Sequence, residues 1–170
     1  MIHLGGYIAE SVNEGTGLRT VLFISGCRHY CTNCFNTACW DFHYGQPFTD
    51  NLQEHIINNI AENPLIEGIS LVGGDPFFSA GEVAAFIRKM KAQLPHIHIW
   101  IYSGFTYEAI IQDEGMLSLL CLCDVLVDGK FIEAEKDLSL PFRGSRNQRI
   151  IDIKQSLEKK SVITLSGVYV

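Results

Sequence analysis

The chain has 170 residues, the size of one domain, and its 13 basic against 19 acidic side chains give a formal charge of −6. That balance excludes a nucleic-acid binder working through bulk positive charge, and 47% apolar with 19% charged residues excludes wholesale disorder. No apolar run reaches the length of a membrane span, and the opening Met1-Ile2-His3-Leu4-Gly5-Gly6 lacks the regions of a secretory signal, so the expectation is a cytoplasmic protein with neither nucleic acid nor membrane as partner.

The first predicted element is the run Thr20-Val21-Leu22-Phe23-Ile24-Ser25, a β-branched and aromatic strand ending at Gly26. A group of cysteines follows on the loop after its C-terminal end. Thr49 then precedes Leu52, Ile56, Ile57 and Ile60, an apolar stripe at helical spacing that Pro64 stops. Ile69-Ser70-Leu71-Val72 reads as the next strand, closed by Gly73-Gly74-Asp75-Pro76. Ser79 and Glu82 have the spacing of a capping box ahead of Val83, Phe86, Ile87, Met90 and Leu94, and Pro95 ends that helix. Ile97 to Tyr102 predicts a third strand, residues 106 to 121 a helix broken near Gly115, and Asp124 to Asp128 a fourth strand.

Strands alternating with helices at this spacing mean βαβ units, whose right-handed crossovers bring every strand's C-terminal end to one edge, where such sheets bind ligands. A closed eight-stranded barrel takes about 250 residues. The expected fold is therefore α/β: a partial, open TIM-like barrel with a mainly parallel sheet, as a single domain over 1–170. Residues 130–170 form a C-terminal extension of different character, with eight basic and five acidic side chains. Ile150-Ile151 and Val162-Ile163-Thr164-Leu165 are its candidate strands.

Six cysteines stand at 27, 31, 34, 39, 121 and 123. In a compartment where disulfides rarely persist, they point to metal, catalysis or packing. Cys27-Arg28-His29-Tyr30-Cys31-Thr32-Asn33-Cys34 has the spacing C-x3-C-x2-C. Structural zinc wants four ligands, usually as two separated pairs; ordinary ferredoxin sites use four cysteines. Three thiolates on one loop suit a [4Fe-4S] cube whose fourth iron is kept open for a substrate or cofactor. The bland alternative is a zinc knob completed by His29, Cys39 or His43. Cys39 otherwise reads as a buried thiol, and Cys121 and Cys123, two apart at the start of the fourth strand, would share one face. The six histidines show no ligand spacing of their own.

The triplet, with the aromatic Phe35 after it, resembles the cluster motif of the radical S-adenosylmethionine (SAM) superfamily, in its glycyl-radical-activating branch. Gly73-Gly74-Asp75-Pro76 resembles that superfamily's SAM-contacting segment, and Gly15-Thr16-Gly17-Leu18-Arg19 resembles a segment ahead of the first strand in activating enzymes, with Thr16 where they carry proline. Asp128-Gly129-Lys130-Phe131 and Arg143-Gly144-Ser145-Arg146-Asn147-Gln148-Arg149 are similar to late segments of the activases of anaerobic ribonucleotide reductase.

The resemblance implies a [4Fe-4S] cluster held by Cys27, Cys31 and Cys34, with SAM on the open iron. It implies reductive cleavage of SAM to methionine and a 5′-deoxyadenosyl radical, which takes a hydrogen from a glycine of the reductase's large subunit. The chemistry is then carried by cluster and SAM rather than by a catalytic side chain. Asn33, Cys34 and Phe35 lie against the adenine; the carbonyls of Gly73 and Gly74, or Asp75, take the SAM ammonium; Ser103 offers a ribose or carboxylate contact, or simply caps a helix. Asp128 and Lys130 either approach the cofactor or pair with each other. Arg143, Arg146 and Arg149 make a solvated face, or meet the SAM carboxylate or an acidic partner. A flavodoxin-like protein is the implied electron donor. The alternatives are an activase of another glycyl-radical enzyme, a small-molecule radical SAM enzyme, and a noncatalytic iron–sulfur or zinc module.

Overall fold

A computed structural model describes residues 1–165 of the chain. The strands are β1 (His3–Ser11), β2 (Arg19–Ile24), β3 (Gln46–Pro47), β4 (Gly68–Gly73), β5 (His98–Tyr102), β6 (Val125–Asp128) and β7 (Arg149–Asp152). The helices are α1 (Asp50–Glu62), α2 (Ala80–Gln93), α3 (Tyr107–Ile110), α4 (Glu114–Leu120) and α5 (Ile153–Lys159). One sheet takes the order β3-β1-β2-β4-β5-β6-β7 and does not close. Its centre, β2-β4-β5-β6, is parallel. The flanking pairs β3-β1, β1-β2 and β6-β7 are antiparallel, so the sheet is mixed rather than mainly parallel.

Alternation along the central strands separates two faces. Leu22, Ile24, Ile69, Leu71, Ile99, Ile101 and Leu126 point into the main core, where they meet Ile56, Ile57 and Ile60 of α1 and Val83, Phe86, Ile87 and Met90 of α2. Each such side chain contributes about 1.5–3 kcal/mol by leaving water. The opposite face carries Trp100, Val125, Val127 and Ile150, against which Tyr102 and Phe142 pack. The helices thus cover one face, and the chain after β6 partly covers the other.

The four predicted strands and the first two helices stand within two residues of their expected bounds. Thr49 caps α1, its side chain accepting from the Leu52 amide. Other expectations need correction. The capping box is not formed: Ser79 accepts no cap bond, and the chain first makes a 3-10 turn over Pro76–Ser79 whose cap is Asp75. The break between α3 and α4 falls at 111–113, not at Gly115, because Asp113 caps α4 by accepting from the Met116 amide. β1 is a strand the sequence hides, since Gly5 and Gly6 interrupt its apolar pattern and a register shift between Leu4 and Gly6 absorbs an extra residue. Ile150 and Ile151 do lie in β7. Val162 to Leu165 is not a strand but runs beside β7, with a bridge from Thr164 to Ile151. Cys121 is exposed at the end of α4 and Cys123 is buried in the turn before β6, so they share no strand face. Among the described residues no helix is long and apolar enough to cross a membrane.

Candidate metal centre and its cavity

The C-terminal ends of β2, β4, β5 and β6 surround a cavity of about 600 Å³, within the range of ligand-binding sites. Cys27, Cys31 and Cys34, from the loop after β2, form one wall. Gly73 and Gly74 follow β4, Ser103 and Gly104 follow β5, and Gly129 and Phe131 follow β6. Phe23, Val72 and Tyr102 line the sheet side, and the segment from Leu138 to Gly144 closes the far side.

Glycine is required where the backbone turns into this cavity. Gly73 has φ +107°, and a Cβ there would lie 2.6 Å from the Ile24 amide nitrogen, so a side chain would strain the join between β2 and β4. The same end of β4 is stitched to the cysteine loop by Gly74 N–H donating to Ile24 O at 2.8 Å and Asp75 N–H donating to Gly26 O at 2.9 Å.

The three sulfurs differ in setting. Cys27 is buried, and burial pushes its thiol up to about 11, against the pull of the His29 amide. Burial also raises the Cys31 thiol, with Cys34 adding to it and the Phe131 amide and Lys130 opposing it. A ligand must be a thiolate, so a metal here has to displace these protons. The amides of His29 and Asn36 donate to the Cys27 and Cys34 sulfurs at 3.5 and 3.4 Å.

Of the candidate fourth ligands for zinc, Cys39 and His43 lie outside the cavity lining, and His29 lines it but is engaged by Asp75. Cys39 is buried beside Ser25 and does not line the cavity. His43 is exposed beside Asp41. The His29 ring is held by Asp75, with Nε2 2.7 Å from Oδ2. Among the described residues no three His, Cys, Asp or Glu gather closely enough to hold a single metal ion. A polynuclear cluster, whose thiolates sit on separate irons, does not need that closeness.

Of the other residues singled out in the sequence, Phe35, Gly73, Gly74 and Ser103 line the cavity; Asn33 and Asp75 do not. Asn33 is exposed at φ +55°, and Asn36 takes a place in the wall. Asp75 is 1% exposed and its carboxylate accepts from four protein donors. Ser103 is not a helix cap; that role belongs to Thr106, and Ser103 donates to Asp75. Asp128 pairs with Arg149, not with Lys130, and Arg149 also reaches Glu108. The three late arginines therefore form no common face. Arg146 is exposed, and Arg143 lines the cavity, its Nη1 donating to Gln148 O while its buried Nε has no partner among the described residues. Tyr102 Oη is a second buried group of a cavity residue without a partner among the described residues. Burial raises the Tyr102 hydroxyl, with Glu14 adding to the effect, so it remains a donor.

A family model described as a 4Fe-4S single cluster domain matches residues 13–151, a span that contains every wall of the cavity. The anaerobic ribonucleoside-triphosphate reductase-activating protein of Escherichia coli K12 is 36% identical over 145 residues, covering 84% of this chain and 93% of that protein. The protein of the same name from Vibrio cholerae is 37% identical over 147 residues, covering 85% and 94%, and that of phage T4 is 36% identical over 148 residues, covering 85% and 89%. The chain belongs to the family of anaerobic ribonucleoside-triphosphate reductase-activating proteins. A member of this family with that match carries a 4Fe-4S cluster domain, and the residues present fit such a group. The cavity offers three thiols, glycine backbone on the facing wall, and two buried polar atoms, Arg143 Nε and Tyr102 Oη, that have no partner among the described residues.

Proposed function

We propose that Cys27, Cys31 and Cys34 hold a [4Fe-4S] cluster through three of its irons and that SAM fills the adjoining cavity. The chain then acts as a radical SAM oxidoreductase that takes a hydrogen atom from a glycine of the anaerobic ribonucleotide reductase large subunit. The observation that carries this reading is the pairing of three thiols with a cavity of about 600 Å³ whose other walls include glycine backbone, apolar side chains and two buried polar atoms unpaired among the described residues. When bound, the reduced cluster and SAM supply one electron and, from the cleaved carbon–sulfur bond, an organic radical able to take that hydrogen.

The chain's own residues bind and orient. The carbonyls of Gly73 and Gly74 accept from the SAM ammonium, a charge-assisted contact. Arg143 Nε is placed to meet a carboxylate, and Tyr102 Oη donates to a polar group of the ligand. Phe35, packed on Phe131 with ring centroids 4.9 Å apart, gives the adenine an apolar surface. The open arc of parallel strands, with helices outside and the cavity inside, is read as a partial TIM-like barrel forming a single domain over 1–170. Its open side admits a polypeptide loop, and Tyr30, Phe35 and Leu138 stand exposed. A flavodoxin-like protein in the cytoplasm supplies the electron.

Anaerobic reconstitution tests this. The expected result is about four irons per chain and, with a strong reductant, conversion of SAM to 5′-deoxyadenosine and methionine. Cys31→Ala abolishes that conversion while leaving the domain folded. Full-occupancy zinc without cleavage, or full activity in Cys31→Ala, contradicts the reading.

A further inference from the structure

Asp75 belongs to a segment that resembles a cofactor-contact motif, yet its side chain does not reach the cavity. Oδ2 accepts from His29 Nε2 at 2.7 Å, Ser103 Oγ at 2.8 Å and the Gly104 amide at 2.9 Å. Oδ1 accepts from the Phe77 amide at 2.9 Å. Four protein donors thus hold the carboxylate, three of them on Oδ2, and Asp75 takes no part in the cavity lining. The group is also 1% exposed.

Its longest-range partner is His29, which sits between Cys27 and Cys31. Because the carboxylate accepts, His29 Nε2 carries the proton. The imidazole is caged by Phe78 and Phe105, with centroids at 5.1 and 4.6 Å. Gly104 must be glycine for the ring to fit, since a Cβ there would collide with it. The amide of the same His29 donates to Cys27 Sγ at 3.5 Å. A continuous path thus runs from the end of β5, through Ser103 and Asp75, to the His29 ring, and from its backbone to the Cys27 sulfur.

We propose that Asp75 and His29 are a pair of positioning residues that clamp the cysteine loop: Asp75 fixes the His29 ring, and the fixed ring keeps the His29 N–H on the Cys27 sulfur. This rests on the assignment of Cys27 as a cluster ligand. It gives the acid of the Gly-Gly-Asp segment a supporting role beside the cofactor. Hydrogen bonds to ligand sulfurs help set a cluster's reduction potential. An N–H on the sulfur favours the more negatively charged reduced state, so losing the clamp moves the potential to more negative values.

Two readouts on Asp75→Asn and His29→Phe decide the matter. Phe fills the aromatic cage without a donor, and His29→Gln restores one. In the cluster-free protein, alkylation of the buried Cys27 accelerates about tenfold or more in both variants, because releasing the loop from a charge-assisted hydrogen bond opens the sulfur to the reagent. Alkylation of the exposed Cys121 stays unchanged, which reports that the fold is intact. In the reconstituted protein, iron content holds while the cluster's midpoint potential falls in both variants and partly recovers in His29→Gln. Wild-type alkylation and potential in both variants overturn the clamp. So does a loss of SAM affinity in Asp75→Asn with Cys27 alkylation and potential unchanged, which makes Asp75 a direct cofactor contact. If wild-type protein takes up no cluster, the proposed function fails, and the alkylation readout still judges the clamp.

Discussion

Individual residues at the cavity owe their identity to backbone geometry as much as to chemistry. Gly73 combines φ +107° with backbone atoms of β2 where a side chain would go. Gly73→Ala is expected to cost about 2 kcal/mol from the positive φ and more from the overlap; a thermal melt at wild-type midpoint contradicts this. His98 carries a pH dependence. Its folded pKa lies below the ordinary 6.5, chiefly through burial, with Arg19 adding to the effect and Asp124 opposing it. Arg19 Nη2 lies 3.5 Å from Nδ1, so the neutral ring is the one that fits. Because the unfolded chain binds the proton more readily, this contribution is complete above pH 6.5 and is lost as pH falls from there through the folded value. Denaturant titrations at pH 7.5 and 5.5 are expected to show that loss, and His98→Gln is expected to flatten it. The gathering of the cysteine triplet on one cavity wall was legible in the sequence because the three residues share one loop. The role of His29 was not, since it depends on a carboxylate 46 residues away. Asp75 was read as a site residue from its motif, but the direction of its side chain, away from the cavity, is a tertiary fact.

At the scale of elements, strands buried on both faces announced themselves as continuous β-branched runs, whereas β1, with two glycines and a register shift, did not. Helix starts were legible only where one residue decides them. Thr49 does so for α1. The Ser79–Glu82 pattern misleads because Pro76 begins a 3-10 turn that Asp75 caps, so the chain is already helical when it reaches Ser79. Ser79→Ala is accordingly expected to change stability by less than about 0.5 kcal/mol. Asp113→Ala, which removes a cap at 2.8 Å from the seven-residue α4, is expected to cost about 1 kcal/mol. Chemical denaturation of the two variants side by side checks the pair; equal costs contradict these cap assignments.

For the whole molecule, function follows from an asymmetry. Helices seal one face of the sheet, and the other face, at the ends of the parallel strands, is left to a cavity. The late segment that begins after β6 completes it. Arg149 ties β7 to β6 through Asp128 while Arg143, six residues earlier, enters the cavity wall. That division was hidden in a sequence where three arginines recur every third position. The most direct measurement is electron paramagnetic resonance of the large subunit of an anaerobic ribonucleotide reductase after incubation with the reconstituted chain, SAM and reductant. The expected result is a glycyl-radical signal that requires SAM and is absent with Cys31→Ala. Cleavage of SAM with no such signal on the reductase would contradict the proposed target, and a signal that persists without SAM would contradict the proposed chemistry.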